Sequence, residues 1–136
     1  MLTNVFIQGN GIKVAGTGVG IPGHVVPNSD LAREAPTDAA WVSNVLGIDS
    51  RRHIRPPETL ASLSTKAAVQ ALKTAGIGPQ DVDAILLATS TPDSINPATA
   101  VAVHAALGCE DRCPAYDIQA VCSGFVFALS HAVALL

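Results

Sequence analysis

The 136 residues are long enough for one domain with a real core, and with 49% apolar and only 14% charged they fall outside the disordered class. A net charge of −3 without any Lys/Arg run gives no basic footprint for nucleic acid. The longest apolar stretch, Ser123 to Leu136, is too short to span a bilayer and reads as a buried helix.

The first ten residues carry little signal, and nothing in them resembles a secretory leader. From Ile12, I-K-V-A-G-T-G-V-G-I-P reads as a buried strand entering a Gly/Pro turn. Asn28 to Ala35 forms a short helix. Thr37 is the expected N-cap of the next, which runs through Trp41, Val42 and Val45 and stops near Gly47. The charges at Asp49, Arg51, Arg52, His53 and Arg55 predict an exposed or substrate-facing loop.

Leu60 to Ala75 is the clearest amphipathic helix, with a stripe of Leu63, Ala67, Ala71, Leu72 and Ala75 and a stop at Gly76. Ala84 to Thr89 has strand length. Asn96-Pro97 reads as a helix start, with Gly108 as its end. Pro114 to Gln119 is the next strand, and a helix follows from Ser123. Strands alternating with helices predict an α/β fold with a mainly parallel sheet and helices on both faces. No linker divides residues 1–136, so they are taken as one domain.

The densest chemistry lies in D-I-Q-A-V-C-S-G-F, residues 117–125. Cys122 stands where a strand ends and an apolar helix begins. Free N–H groups and partial positive charge at a helix N-terminus favour a thiolate, the reactive form of cysteine. Gly124 leaves room beside the sulfur, and the Cys122 N–H is placed to donate to an oxyanion. By position alone, a small buried hydrophobe is the commoner role for such a cysteine.

That segment resembles the nucleophile segment of the β-ketoacyl-acyl-carrier-protein synthase III family. G-T-G-V-G-I-P, T-D-A-A-W with G-I-D-S-R-R-H-I, A-I-L-L-A-T with P-A-T-A, and L-G-C-E-D-R-C-P-A-Y-D match in the same order. The resemblance spans roughly residues 11–136. It implies a thiolase-like fold, here its N-terminal half and incomplete. It also implies an acyltransferase in which Cys122 takes an acyl group from coenzyme A. Malonyl-acyl carrier protein then loses carbon dioxide, and its carbanion attacks the acyl-cysteine. No metal or redox cofactor is implied. Trp41 resembles the tryptophan that stacks on the coenzyme A adenine, and Thr37 a neighbour at that site. A lone Trp would otherwise be read as core. The family dimerises through the strand before the cysteine, here Pro114–Gln119.

Two positions depart from the pattern. Val45 stands where some members carry an Arg facing the coenzyme A phosphates; Arg51 or Arg52 is a nearby substitute. Asn96 stands where well-known members have a bulky residue closing the acyl pocket of a neighbouring subunit, which implies an altered acyl preference. The family's catalytic His and Asn come from a later part of its chain. None of His24, His53, His104 or His131 replaces them. His131 falls on the opposite face of the cysteine helix, roughly 13 Å along its axis. Residues 1–136 alone are therefore expected to be neither stable nor active, because a strand edge would stay open.

Other motifs carry less. Gly18, Gly20 and Gly23 fit G-x-G-x-x-G, but Pro22 and Pro27 follow and no long helix opens, so no dinucleotide site is expected. Cys109 and Cys113 lack the second ligand pair that zinc needs. Three cysteines give no disulfide framework and fit a reducing, cytoplasmic setting. The alternatives to the leading reading are acyl transfer to another acceptor in secondary metabolism and an inactive remnant or structural partner.

Overall fold

The computed structural model describes residues 12–34 and 37–135. They fall into two compact units, Ile21–Thr59 and the remainder of the chain.

In Ile21–Thr59, strand β1 (His24–Pro27) leads into helix α1 (Asn28–Glu34), and helix α2 (Ala39–Leu46) leads into strand β2 (Ser50–His53). The two strands pair antiparallel, with His24 opposite His53 and Pro27 opposite Ser50. The charged stretch predicted to be a loop is thus half of a two-stranded ribbon. Its exposed faces explain why no apolar alternation announced it. The expected end of α1 at Ala35 lies outside the described residues.

The cap of α2 differs from expectation by one residue. Asp38, not Thr37, is the N-cap, and its Oδ1 accepts the Ala40 N–H at 2.9 Å. Both residue types cap well, so the local sequence alone does not choose between them. Gly47 closes α2 in the left-handed region, where a residue without Cβ has no penalty.

Asn28 holds this unit together. Only 5% exposed, it donates from Nδ2 to Ser43 Oγ at 3.0 Å and to the Ile48 carbonyl. Its Oδ1 accepts from the Arg51 guanidinium at 2.8 Å, and its N–H donates to the Asp49 carbonyl. One side chain therefore joins α1, α2 and β2 and leaves none of its own polar atoms unpaired.

The other unit contains helix α3 (Leu60–Ala75), strand β3 (Ile85–Ala88), helix α4 (Thr99–Leu107), strand β4 (Ala115–Ile118) and helix α5 (Gly124–Leu135). β3 and β4 pair in parallel, Ile85 with Ala115 through Ala88 with Ile118. The Ile85 N–H to Pro114 and the Thr89 N–H to Ile118 extend the ladder at each end. Strand alternation sends Ile85 towards Ala71, Leu72, Val103 and Leu107 on α3 and α4. Leu86 and Ala88 line the side beside α5. Helices thus cover both faces of a parallel pair, as predicted.

The run from Ile12 is not a strand in this structure. Its glycines instead lie along the backbone of α3. A Cβ on Gly16, Gly18 or Gly20 would overlap the carbonyl oxygen of Ala71, Ala67 or Leu63, respectively. Every second residue of the extended run meets every fourth residue of the helix. The period-2 pattern is genuine, but it serves contact with a helix rather than a ladder.

α4 starts at Thr99, three residues after Asn96 and two after the Pro97 expected at its first position. Its N-cap residue, Ala98, makes no side-chain cap bond. The cap comes from β4: Asp117 accepts the Thr99 N–H at 2.9 Å through Oδ2 and the Ala100 N–H at 2.8 Å through Oδ1. Gly108 closes the helix in the left-handed region. Among the described residues no helix is long and apolar enough to cross a membrane.

Candidate active site

Cys122 is solvent-exposed, whereas Cys109 and Cys113 are buried. The parallel pair delivers it. β4 ends at Ile118, Gln119 and Ala120 link onward, and a single 3-10 turn over Val121–Ser123 presents the cysteine directly ahead of α5. The Ser123 N–H and Oγ both donate to the Ala120 carbonyl, at 3.0 and 2.9 Å, which tightens that turn.

Val121 has φ +45°, and among the described residues it is the one non-glycine residue with positive φ. A β-branched residue is strained in that region, which costs of order 1–3 kcal/mol. Its side chain is 77% exposed, so packing does not compensate. The strained residue stands between β4 and α5, immediately before the exposed Cys122.

Gly124 completes the corner. It is buried, and a Cβ there would lie 3.3 Å from the Cβ of Ala88. The absent side chain lets α5 begin against β3, and that contact fixes where Cys122 stands two residues earlier.

Burial pushes the Cys113 thiol above its ordinary value of 9.0; Cys109 and Asp83 push it further, and Arg112 opposes them. A thiol held neutral in this way is a poor nucleophile. Among the described residues no group of three His, Cys, Asp or Glu side chains could hold a metal ion.

The other predicted site residues divide between the two units. Thr37 and Trp41 are exposed at the start of α2, and Trp41 is 50% exposed, so its ring is not core. Asn96 is exposed on the loop between β3 and α4, in the unit that holds Cys122. His104 lies against the Glu110 carbonyl at 3.1 Å through Nε2, and His131 is exposed on α5. An open apolar groove of about 730 Å³ beside α5, lined by Leu86, Ala88, Phe125, Ala128, Leu129 and Leu135, does not include Cys122.

Sequence reasoning missed the Asp117 cap, although Asp117 stands inside the cysteine segment. An acidic residue within an otherwise apolar strand is the signal that could have found it.

No family model matches the chain. Curated proteins do. Beta-ketoacyl-[acyl-carrier-protein] synthase III of Rhizorhabdus wittichii is 46% identical over 123 residues, which is 90% of this chain and 38% of the relative. The proteins of that name from Rhodospirillum rubrum and Neisseria meningitidis are 46% and 40% identical over 90% and 91% of the chain. The chain thus spans under two fifths of the length of these relatives.

Among solved structures, 3-oxoacyl-[acyl-carrier-protein] synthase III from Aquifex aeolicus superposes with a TM-score of 0.81 at 40% identity, covering 90% of this chain and 39% of that one. The priming β-ketosynthase of the R1128 polyketide pathway gives 0.81 at 32% identity, over 89% and 36%. Ordered motifs, strand–turn–helix placement of the cysteine and superposition all agree: the chain belongs to the β-ketoacyl-[acyl-carrier-protein] synthase III family and has the thiolase fold.

Proposed function

We propose that this chain carries the acyl-accepting centre of a condensing enzyme that starts fatty-acid or polyketide chains. The observation that carries the reading is the exposure of Cys122 at a strained strand-to-helix corner, while the other two cysteines are buried. The Cys122 sulfur attacks the thioester carbonyl of an acyl-coenzyme A. The carbon–sulfur bond to coenzyme A breaks, and the coenzyme leaves as a thiolate that takes up a proton. The Cys122 N–H supplies a donor for the oxyanion of that step, while the Ser123 and Gly124 N–H groups are engaged within the turn. In the second step a malonyl group on acyl carrier protein loses carbon dioxide. Its carbanion forms a carbon–carbon bond to the acyl carbonyl, and the sulfur leaves as the regenerated thiolate.

Trp41 and Thr37 are the proposed contacts for the coenzyme A nucleotide, and the half-exposed indole offers a face for the adenine. Asn96 is the proposed acyl-pocket residue. The proposed dimer forms through the strand near Pro114–Gln119. The reaction needs no metal or redox cofactor in this reading. The whole protein is expected to act in the cytoplasm.

Intact mass of the full-length protein before and after incubation with acetyl-coenzyme A tests the reading. One acetyl group is expected, and none in Cys122→Ala. A wild type that takes up no acyl group, or a Cys122→Ala protein that still does, would overturn it.

A further inference from the structure

We propose that His24 and His53 form a two-imidazole site for a divalent late transition-metal ion of the nickel, copper or zinc class, which clasps one end of the β1–β2 ribbon. No step of acyl transfer passes through this site, and the proposal stands apart from the chemistry of Cys122.

The strand register makes the pair. β1 and β2 run antiparallel with His24 directly opposite His53. Directly opposed residues share one face of the ribbon, with Cβ atoms about 4.5–5.5 Å apart. Two imidazole nitrogens bound to one ion at about 2.0–2.1 Å stand roughly 3 Å from each other. Rings projecting from such Cβ positions can converge to that spacing. Imidazole suits the later first-row divalent ions, and water fills the positions that two protein ligands leave open.

Both rings are available. His53 is exposed and His24 is half-buried. Among the described residues neither ring makes a side-chain hydrogen bond or an ion pair. By contrast, His104 Nε2 lies 3.1 Å from the Glu110 carbonyl, and His131 is the single histidine of α5. The adjoining strand cations are held elsewhere. Strand alternation sends Arg52 to the other face, where its Nη1 donates to the Pro22 and Gly23 carbonyls at 3.3 and 3.4 Å. Arg51 shares the histidine face but is bound to Asn28 Oδ1 at 2.8 Å. A fixed carboxylate stands close by: Glu58 accepts the Gly23 N–H through both oxygens, at 3.2 and 3.1 Å, one residue from His24.

The pair joins the first residue of β1 to the last of β2, at the end of the ribbon away from α1 and α2. An ion bound there cross-links the strands where the main chain leaves them. It binds the folded ribbon and not the open one, so it holds the ribbon closed.

The test titrates nickel(II) into untagged, metal-free full-length protein whose Cys122 has been alkylated, so that the exposed thiol does not compete. The wild type is expected to take up one equivalent that is lost in His24→Gln and equally in His53→Gln. Hydrogen exchange on the wild type gives a second reading, in which nickel slows the amides of residues 24–26 and 50–53 more than those elsewhere. No uptake by the wild type, an equivalent that either variant retains, or ribbon amides unchanged by nickel would overturn the proposal. Melting curves recorded without nickel check that the glutamine variants keep the fold; if they do not, the exchange experiment on the wild type decides.

Discussion

Gly124 sits so close to Ala88 that a methyl group between them would force a small shift: a Cβ on the glycine would stand 3.3 Å from the alanine Cβ. The first turn of α5 is thereby set directly on β3, and the position of Cys122 follows from that contact. Gly124→Ala is expected to keep the fold but push the corner outwards by a few tenths of an ångström. Small misplacements of a reacting group are expensive, so acylation of Cys122 should slow about tenfold. Intact-mass rates, with a melting curve as control, check this. Adding Ala88→Gly should restore much of the rate, because the two sites share one contact.

Asn28 is the stability determinant of the Ile21–Thr59 unit. Asn28→Ala removes partners from the Ile48 carbonyl, Ser43 Oγ and the Arg51 guanidinium together. Unpaired groups left by one truncation cost about 1–3 kcal/mol. The expected loss is about 2 kcal/mol, read as a lower urea midpoint. An unchanged midpoint would show that water satisfies these groups as well as the asparagine does.

The glycine run along α3 makes a sharper prediction. In Gly18→Ala the new methyl meets a helix backbone, which cannot turn aside as a flexible side chain can. Overpacking of this kind costs typically about 1–3 kcal/mol. Thr17→Ala and Val19→Ala, at the alternate and exposed positions, should cost far less. Comparing the three variants by thermal melting separates the packing face from the open one.

Stability should also fall in alkali. The folded protein holds the Cys113 thiol protonated above its ordinary value of 9.0. Below that pH both folded and unfolded states keep the proton, and the contribution is fully present. As pH rises above it, the unfolded chain loses the proton first, so the folded state binds more protons and stability declines. The contribution is gone once pH has passed the raised folded value. Urea unfolding across that window should show a shallower decline in Cys113→Ala than in the wild type.

How much of this was legible depends on the range of the interactions. α3, β3, β4 and the Gly108 stop follow from apolar period and glycine position, which are local. So does the placement of Cys122 between a strand and a helix. The ribbon of β1 and β2 was not legible, because Ser50–His53 is polar and Asn28, which ties α1 to α2 and β2, lies outside both strands. The segment from Ile12 shows the right alternation for the wrong partner, since a period of two does not say what the face meets. The start of α4 was misplaced because its cap is supplied by Asp117, which lies 18 residues from Thr99 in the chain.

The backbone at Val121 has a consequence for laboratory evolution. A residue that tolerates positive φ, such as Asn, would relieve strain there without disturbing any buried neighbour. Selection for heat tolerance should therefore find this site readily. The change would adjoin Cys122 itself and loosen the corner that aims its sulfur. Screens that reward survival at high temperature alone should thus enrich variants with slower acyl uptake, so turnover has to be selected at the same time.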